Sequence, residues 1–299
     1  MTAQVLQEII NGLVLGSTYA LVAIGFNVIY GVVGILNVAQ GDIAVAGSYA
    51  GLAMLTVLGL TEGGAAATAA AVGAALIGSG ALGLVLYFLV LKRISGNQLL
   101  GMFVATIGVS LVIEYGLARL EGSYPKTFPP LLGAGSVSGL GLVVTRAQIT
   151  VVACSLVLAA LVGLVLTRTA FGRQMRAVAE NADVAATFGV NVGLVRLVSV
   201  VGTSMIAGLA GFLLAGLYST ADPFLGQTLA LNMFVVSIVG GASSISGAVV
   251  VSAALGVATA VAQGYTSASI GSIIPLCVLV VFLIIRPQGL FAASQLRRG

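Results

Sequence analysis

Apolar segments of about twenty residues recur along this chain with only short polar turns between them, and no other feature limits its fold so sharply. About 20 apolar residues are needed to cross ~30 Å of hydrocarbon. Candidate spans cover 8–30, 40–59, 64–91, 98–119, 147–167, 197–219, 228–244, 247–264 and 269–285. Backbone groups in hydrocarbon must be paired within the segment itself, so each span is read as a helix. The composition agrees: 59% of residues are hydrophobic and 7% charged, whereas soluble domains carry about 25% charged residues. The expected fold is all-α and polytopic, one transmembrane domain over residues 1–299 with eight or nine crossings. The spans after residue 228 are short and interrupted by Gly and Ser, which predicts broken or re-entrant helices near a polar path. No positively charged segment precedes the first span, so no cleavable signal peptide is expected.

Charge placement sets the sidedness. Lys92 and Arg93 follow the third span, Arg168, Arg173, Arg176 and Arg196 share one loop, and Arg286, Arg297 and Arg298 form the tail. Basic residues favour the cytoplasmic side. That rule puts the 92–97 turn, the 168–196 loop and the C-terminus in the cytoplasm, and the 120–146 loop outside. The N-terminus is outside when all three early spans cross, and inside if one is re-entrant. The outer loop is turn-rich, with Pro125, Pro129 and Pro130, and its end from Gly141 to Ile149 alternates like a short strand. On the inner side, Gly172 to Gly189 reads as one amphipathic helix. Met175, Val178, Ala182 and Ala185 share its apolar face, and Gly189 stands as the C-cap.

Several chemistries are excluded. The chain has no His, which removes imidazole acid–base catalysis and His-ligated metal or haem. Cys154 and Cys277 lie in apolar runs and read as small core residues. A net charge of +4 is too small and scattered for nucleic-acid binding. No GxxxxGK[ST] motif occurs, so this chain carries no P-loop ATPase, and no hydrolase or zinc-protease motif is found. Neither a catalytic residue nor a cofactor or metal site is expected.

Polar residues inside hydrocarbon cost upward of about 2.5 kcal/mol each and therefore require a reason. Asp42 follows Asn37 and Gln40-Gly41 in otherwise apolar sequence. Two readings stand open. In one, a broken helix presents Asn37, Gln40, Gly41 and Asp42 to a translocation path. In the other, Asn37 and Asp42 cap a helix at a membrane-surface turn. Glu114 is expected to pair with Arg119, and Asp222 to sit in an outer turn. The bulk-free segment Gly240-Gly241-Ala242-Ser243-Ser244 is either a hairpin beside the path or a simple turn. Its likeness to the Gly31–Gly51 region hints at an internal repeat.

The order and spacing of several segments carry a resemblance over nearly the whole chain. They include Asn11-Gly12-Leu13 and Gly16-Ser17-Thr18-Tyr19-Ala20-Leu21, then Tyr30 to Asn37, Ala39-Gln40-Gly41-Asp42 and Ala105 to Ser110. The most specific runs from Thr169-Ala170-Phe171-Gly172-Arg173 to Glu180 and on to Ala185-Ala186-Thr187-Phe188-Gly189, and Arg286-Pro287-Gln288-Gly289 closes the set. Together they resemble the permease subunits of ABC importers for branched-chain and other hydrophobic amino acids. Gln40 departs from the His common in that family, leaving a proton-linked role there without its imidazole.

That resemblance implies a multi-pass subunit of the bacterial cytoplasmic membrane. The inner-side helix would be a coupling helix, with Glu180, Asp183, Ala185, Ala186 and Gly189 seating on an ATPase. A paralogous permease, two ATPases holding ATP and Mg, an extracytoplasmic solute-binding protein and membrane lipid would be its partners, with no nucleic acid. The translocation path would use Asn37, Gln40, Gly41, Asp42, Gly240, Gly241, Ser243 and Ser244. An ABC permease for urea, short amides or other small organic solutes is the alternative cargo. An ion-coupled secondary carrier is the alternative of another class, and an intramembrane enzyme a third.

Overall fold

A computed structural model describes residues 2–34, 36–60, 64–94, 99–133, 135–139, 142–242, 244–266, 268–285 and 289–290. The basic tail residues Arg286, Arg297 and Arg298 lie outside these, as does Ser243. Helix dominates. In chain order the helices are α1 (Thr2–Val33), α2 (Gln40–Leu58), α3 (Ala65–Leu86), α4 (Leu99–Glu121), α5 (Arg146–Arg168), α6 (Ala170–Glu180), α7 (Ala182–Thr187), α8 (Val192–Tyr218), α9 (Leu225–Gly240), α10 (Ile245–Tyr265) and α11 (Ala268–Ile285). A π-helical turn, Tyr87–Leu91, extends α3. Seven of the helices among the described residues are long and apolar enough to cross a membrane. All nine sequence-derived spans thus fall on helices; α9 and the end of α11 fall short of that length, and α9 is the shorter helix. Its 16 residues rise about 24 Å, less than the ~30 Å hydrocarbon core.

Helix ends follow local chemistry. Gly34, at φ 79°, ends α1 with its N–H on the Tyr30 carbonyl at 2.8 Å. Thr145 and Gln148 form a reciprocal capping box at the start of α5. On the basic loop, Thr169, Asn181 and Asn191 each accept a backbone N–H at the start of α6, α7 and α8. This corrects the single helix expected over Gly172–Gly189. Asn181 adopts extended backbone (φ −159°, ψ 109°) and caps α7, so two helices meet at an angle there. An Asn side chain competes with helical backbone bonding and favours such a cap. Gly189, at φ 82°, follows α7 in the left-handed conformation expected of it.

Packing in the bundle interior relies on absent side chains. A Cβ on Gly12 of α1 would lie within 2.9 Å of the Gly256 carbonyl of α10, and one on Gly47 of α2 would meet the Gly208 carbonyl of α8 at 2.6 Å. Small residues let helices approach closely where lipid offers no hydrophobic drive. Around these seams lies the main core, which includes Phe26, Ile43, Leu55, Phe212 and Met233. Helix α5 keeps Leu156, Leu161 and Leu164 exposed, as a lipid-facing helix does.

Two small antiparallel ribbons sit at the end of the bundle opposite the basic loop. Strand β1 (Lys126–Thr127) pairs with β4 (Thr220–Ala221) in the register Lys126↔Ala221, and β2 (Ser136–Gly139) pairs with β3 (Leu142–Thr145). The strand expected over Gly141–Ile149 is therefore real but shorter, because α5 takes over at Arg146. The first ribbon ties the α4–α5 loop to the α8–α9 turn. Phe128 reinforces it by donating its N–H to the Ser219 carbonyl at 2.9 Å and stacking edge-on against Phe212. The turn between α9 and α10 lies at the other end, where Leu290 donates its N–H to the Val239 carbonyl at 2.8 Å.

Candidate functional site: a polar break at membrane depth

Between α1 and α2 the chain leaves helix over residues 34–39, and the polar residues of the sequence reading gather there. Gln40 is fully buried; its Nε2 donates to the Thr203 carbonyl at 2.9 Å, and its Oε1 accepts from Asn37 Nδ2 at 3.2 Å. Thr203 lies eleven residues into α8, about 16 Å along that helix at 1.5 Å per residue. The break therefore runs inward, from exposed Gly34 at the basic end to Asn37 and Gln40 deep in the bundle. Irregular backbone at that depth must be enclosed by protein or face water. Here α4 encloses it: Thr106 Oγ1 accepts the Val38 N–H and lies 3.4 Å from the Leu36 carbonyl.

Asp42 is fully buried in the first turn of α2. Ser110 of α4 donates its hydroxyl to Asp42 Oδ2. Its other oxygen, Oδ1, has no hydrogen-bond partner and faces Gly226 of α9, where a Cβ would lie 2.7 Å from the Asp42 carboxyl carbon. No side chain caps α2, so Asn37 and Asp42 are not the helix caps of the second sequence reading. Asn37 Oδ1 also lacks a partner among the described residues. Two buried acceptor oxygens thus stand five residues apart in the chain, one in the break and one in the first turn of α2, without partners among the described residues.

One helical turn further along α4, Glu114 is buried and its Oε2 accepts from Gln227 Nε2 of α9 at 2.8 Å. This corrects the expected pairing with Arg119, which is exposed. The ion pair among the described residues is Lys126 with Glu121, at 2.6 Å. Burial explains the difference: Glu114 faces α9, and five residues on, Arg119 has rotated out of reach. A turn role for Asp222 is supported by its carboxylate accepting the Phe224 N–H at 2.9 Å.

Gly240, Gly241 and Ser244 lie off another face of α1, reached by Asn27, whereas Gln40 lies beside Gly25. They form the α9–α10 turn near the basic end, where Gly240 and Gly247 touch backbone to backbone. Asn27 of α1 reaches this turn, donating Nδ2 to the Ser244 carbonyl at 3.1 Å, while its Oδ1 has no partner. The sequence reading missed Asn27, Thr106, Ser110 and Gln227. Thr106, Ser110 and Glu114 recur every four residues, a polar stripe on one helix face that periodicity alone could have disclosed.

At the basic end, α6 lies against the last turns of α1, and α7 packs on α6 and α8. Met175, Val178 and Ala185 join Val28, Val32 and Val195 in a second apolar cluster. Ala185 is therefore turned toward the bundle. The free surface of α7 consists of Asp183, Val184, Ala186 and Thr187, and Phe188, which follows it, is 83% exposed. Glu180 and Gly189 are exposed as well.

The chain matches, over residues 8–283, the family described as the permease component of the branched-chain amino acid transport system. It is 30% identical to the high-affinity branched-chain amino acid transport system permease protein LivH of Escherichia coli (strain K12), covering 98% of this chain and 97% of that protein. Identity to the corresponding permease protein BraD of Pseudomonas aeruginosa is 28%, with the same coverage. Among solved structures, PsaBC from Streptococcus pneumoniae in complex with Fab superposes with a TM-score of 0.50 at 13% identity, covering 93% of this chain and 91% of that one. At that identity the likeness speaks for the fold alone.

Proposed function

Because this chain belongs to the branched-chain amino acid transport permease family, we propose that the polar break between α1 and α2 is where its solute crosses. It is the multi-pass membrane permease component of an ABC transporter, and it is not an enzyme: ATP hydrolysis lies in separate subunits, and a binding-protein component accompanies them. The cargo is a branched-chain or other hydrophobic amino acid. The observation that carries the path is the pair of unpartnered buried oxygens, Asp42 Oδ1 and Asn37 Oδ1, beside unwound backbone deep in the bundle. A buried acceptor without a partner costs about 1–3 kcal/mol. A passing ammonium group relieves that cost, while apolar neighbours such as Phe26 and Met233 accept the side chain.

The basic end is cytoplasmic, the C-terminus with it, and the ribbon end faces the solute-binding protein in a bacterial inner membrane. The ATPases contact the exposed face of α7, chiefly Asp183, Ala186 and Phe188, with Glu180 and Gly189 at its margins. Ala185 acts from behind, transmitting movement of α7 through Met175 and Val178 of α6 to Val28 and Val32 of α1 and so to the break that follows α1. Pairing with a paralogous permease completes the path, and lipid covers α5.

The test is reconstitution in liposomes with the partner permease, the ATPases and the binding protein, followed by uptake across a panel of amino acids and short amides. ATP-dependent uptake of leucine, isoleucine and valine, lost in Asp42→Asn, supports the reading. Uptake confined to urea or amides, or undiminished in Asp42→Asn, contradicts it.

A further inference from the structure

A cavity of about 520 Å3 opens at the basic end between the last turn of α1, the end of α5, α6 and the first residue of α10. Its walls carry both signs of charge. Arg176 and Glu180, four residues apart on α6, both line it, and neither forms an ion pair among the described residues. Two helix ends add to this. Tyr30, Gly31 and Gly34, at the electronegative C-terminus of α1, line one side, and Ile245, at the electropositive N-terminus of α10, lines another. Deeper in, Asn27 is 2% exposed and closes the inner wall. Val28, Leu166 and Met175 supply apolar surface.

A lone anion would meet Arg176 and be opposed by Glu180; a lone cation would meet the reverse. A molecule bearing both charges and an apolar side chain satisfies every wall at once. The volume lies within the ~300–1,000 Å3 of ordinary small-molecule sites. We propose that this cavity is a cytoplasmic-side binding site for a free zwitterionic amino acid with an apolar side chain, the class of solute assigned above. The inference rests on that reading of the cargo. An occupant bridges α6 to α1 and α10, so it opposes displacement of the α6–α7 unit and slows turnover as the internal amino acid accumulates.

The experiment uses the assembled transporter in phosphatidylcholine nanodiscs, without nucleotide or binding protein, and measures equilibrium binding of radiolabelled isoleucine. Saturable binding is expected, weakened tenfold or more in Arg176→Gln and in Glu180→Gln. Isovalerate and isoamylamine, each bearing one of the two charges, should compete at least tenfold less well than leucine. Both substituted residues are exposed, and unchanged thermal unfolding and unchanged retention of the ATPase subunits in each variant confirm that the site, not the fold or the assembly, was altered. Absence of saturable binding, binding indifferent to both substitutions, or isovalerate competing as well as leucine overturns the proposal. ATP-driven uptake by the same preparation with its binding protein reports separately on the cargo. Uptake of isoleucine without nanodisc binding sinks this site alone, whereas no uptake of any amino acid sinks the reading beneath it.

Discussion

Replacing Gly41 with Ala tests the geometry on which the buried site depends. A Cβ at that position would collide with the Gly226 carbonyl oxygen and lie 2.9 Å from the Ala230 nitrogen and 3.1 Å from the Gly226 carbonyl carbon. All three are backbone atoms, so no rotamer change relieves the clash and α2 must move away from α9. Overpacking of this kind costs about 1–3 kcal/mol, and rigid obstacles place it at the upper end. Ala gains about 1 kcal/mol over Gly in helix propensity, leaving a net loss of about 2 kcal/mol, a roughly 30-fold fall in the folding equilibrium. Gly108 of α4 is the internal control: nothing lies within 4 Å of its Cβ position. Gly108→Ala should therefore gain up to about 1 kcal/mol, so the two variants differ by about 3 kcal/mol, more than 100-fold at 1.4 kcal/mol per decade. The chain has no Trp, so unfolding is followed by helical circular dichroism during titration with a denaturing detergent. Equal midpoints for the two variants would refute the close α2–α9 approach and the wedged placement of Asp42.

Four further outcomes follow from the same contacts. Ser110→Ala removes the hydroxyl donated to Asp42 and should cost about 1–3 kcal/mol; a double-mutant cycle with Asp42→Asn that shows no coupling would contradict the contact. Asn181→Ala deletes the cap that holds the Val184 N–H at 3.0 Å, with a loss of about 1 kcal/mol, and should raise the ATP hydrolysed per solute moved. Ala186→Trp, on the exposed face of α7, should weaken ATPase-subunit binding at least tenfold in a pull-down titration while thermal unfolding of the permease stays unchanged. Ala185→Trp should do the opposite first, lowering the unfolding midpoint by overpacking the cluster with Val28 and Val32; an unaltered midpoint would show that Ala185 does not face the bundle.

What the sequence disclosed depended on whether a signal was local. Hydrophobic run length located all nine spans because the bilayer sets the length, and Asn37, Gln40 and Asp42 stood out because polar groups are rare in such runs. Glu114 misled, because its true partner Gln227 is 113 positions away and no nearby spacing encodes that contact, whereas Arg119 was close in sequence and wrong in direction. Asn27 escaped for the same reason: its hydrogen bonds reach the α9–α10 turn, which only the fold brings alongside α1. The break at Asn181 was written locally, as an Asn followed by a helix start, but the apolar periodicity of 175–186 ran straight through it. Even the direction of Ala185 required tertiary information, since α7 is six residues long and its angle to α6 decides which face meets the bundle.

On the function proposed above, this chain gates a path and takes its driving force from outside, through α7. Leucine accumulation in liposomes containing only this permease and its paired permease, compared with liposomes holding the complete transporter and ATP, puts that to the most direct test. Accumulation above the external concentration should occur only in the complete, ATP-supplied assembly. Concentrative uptake without the ATPase subunits, driven by an ion gradient, would contradict it.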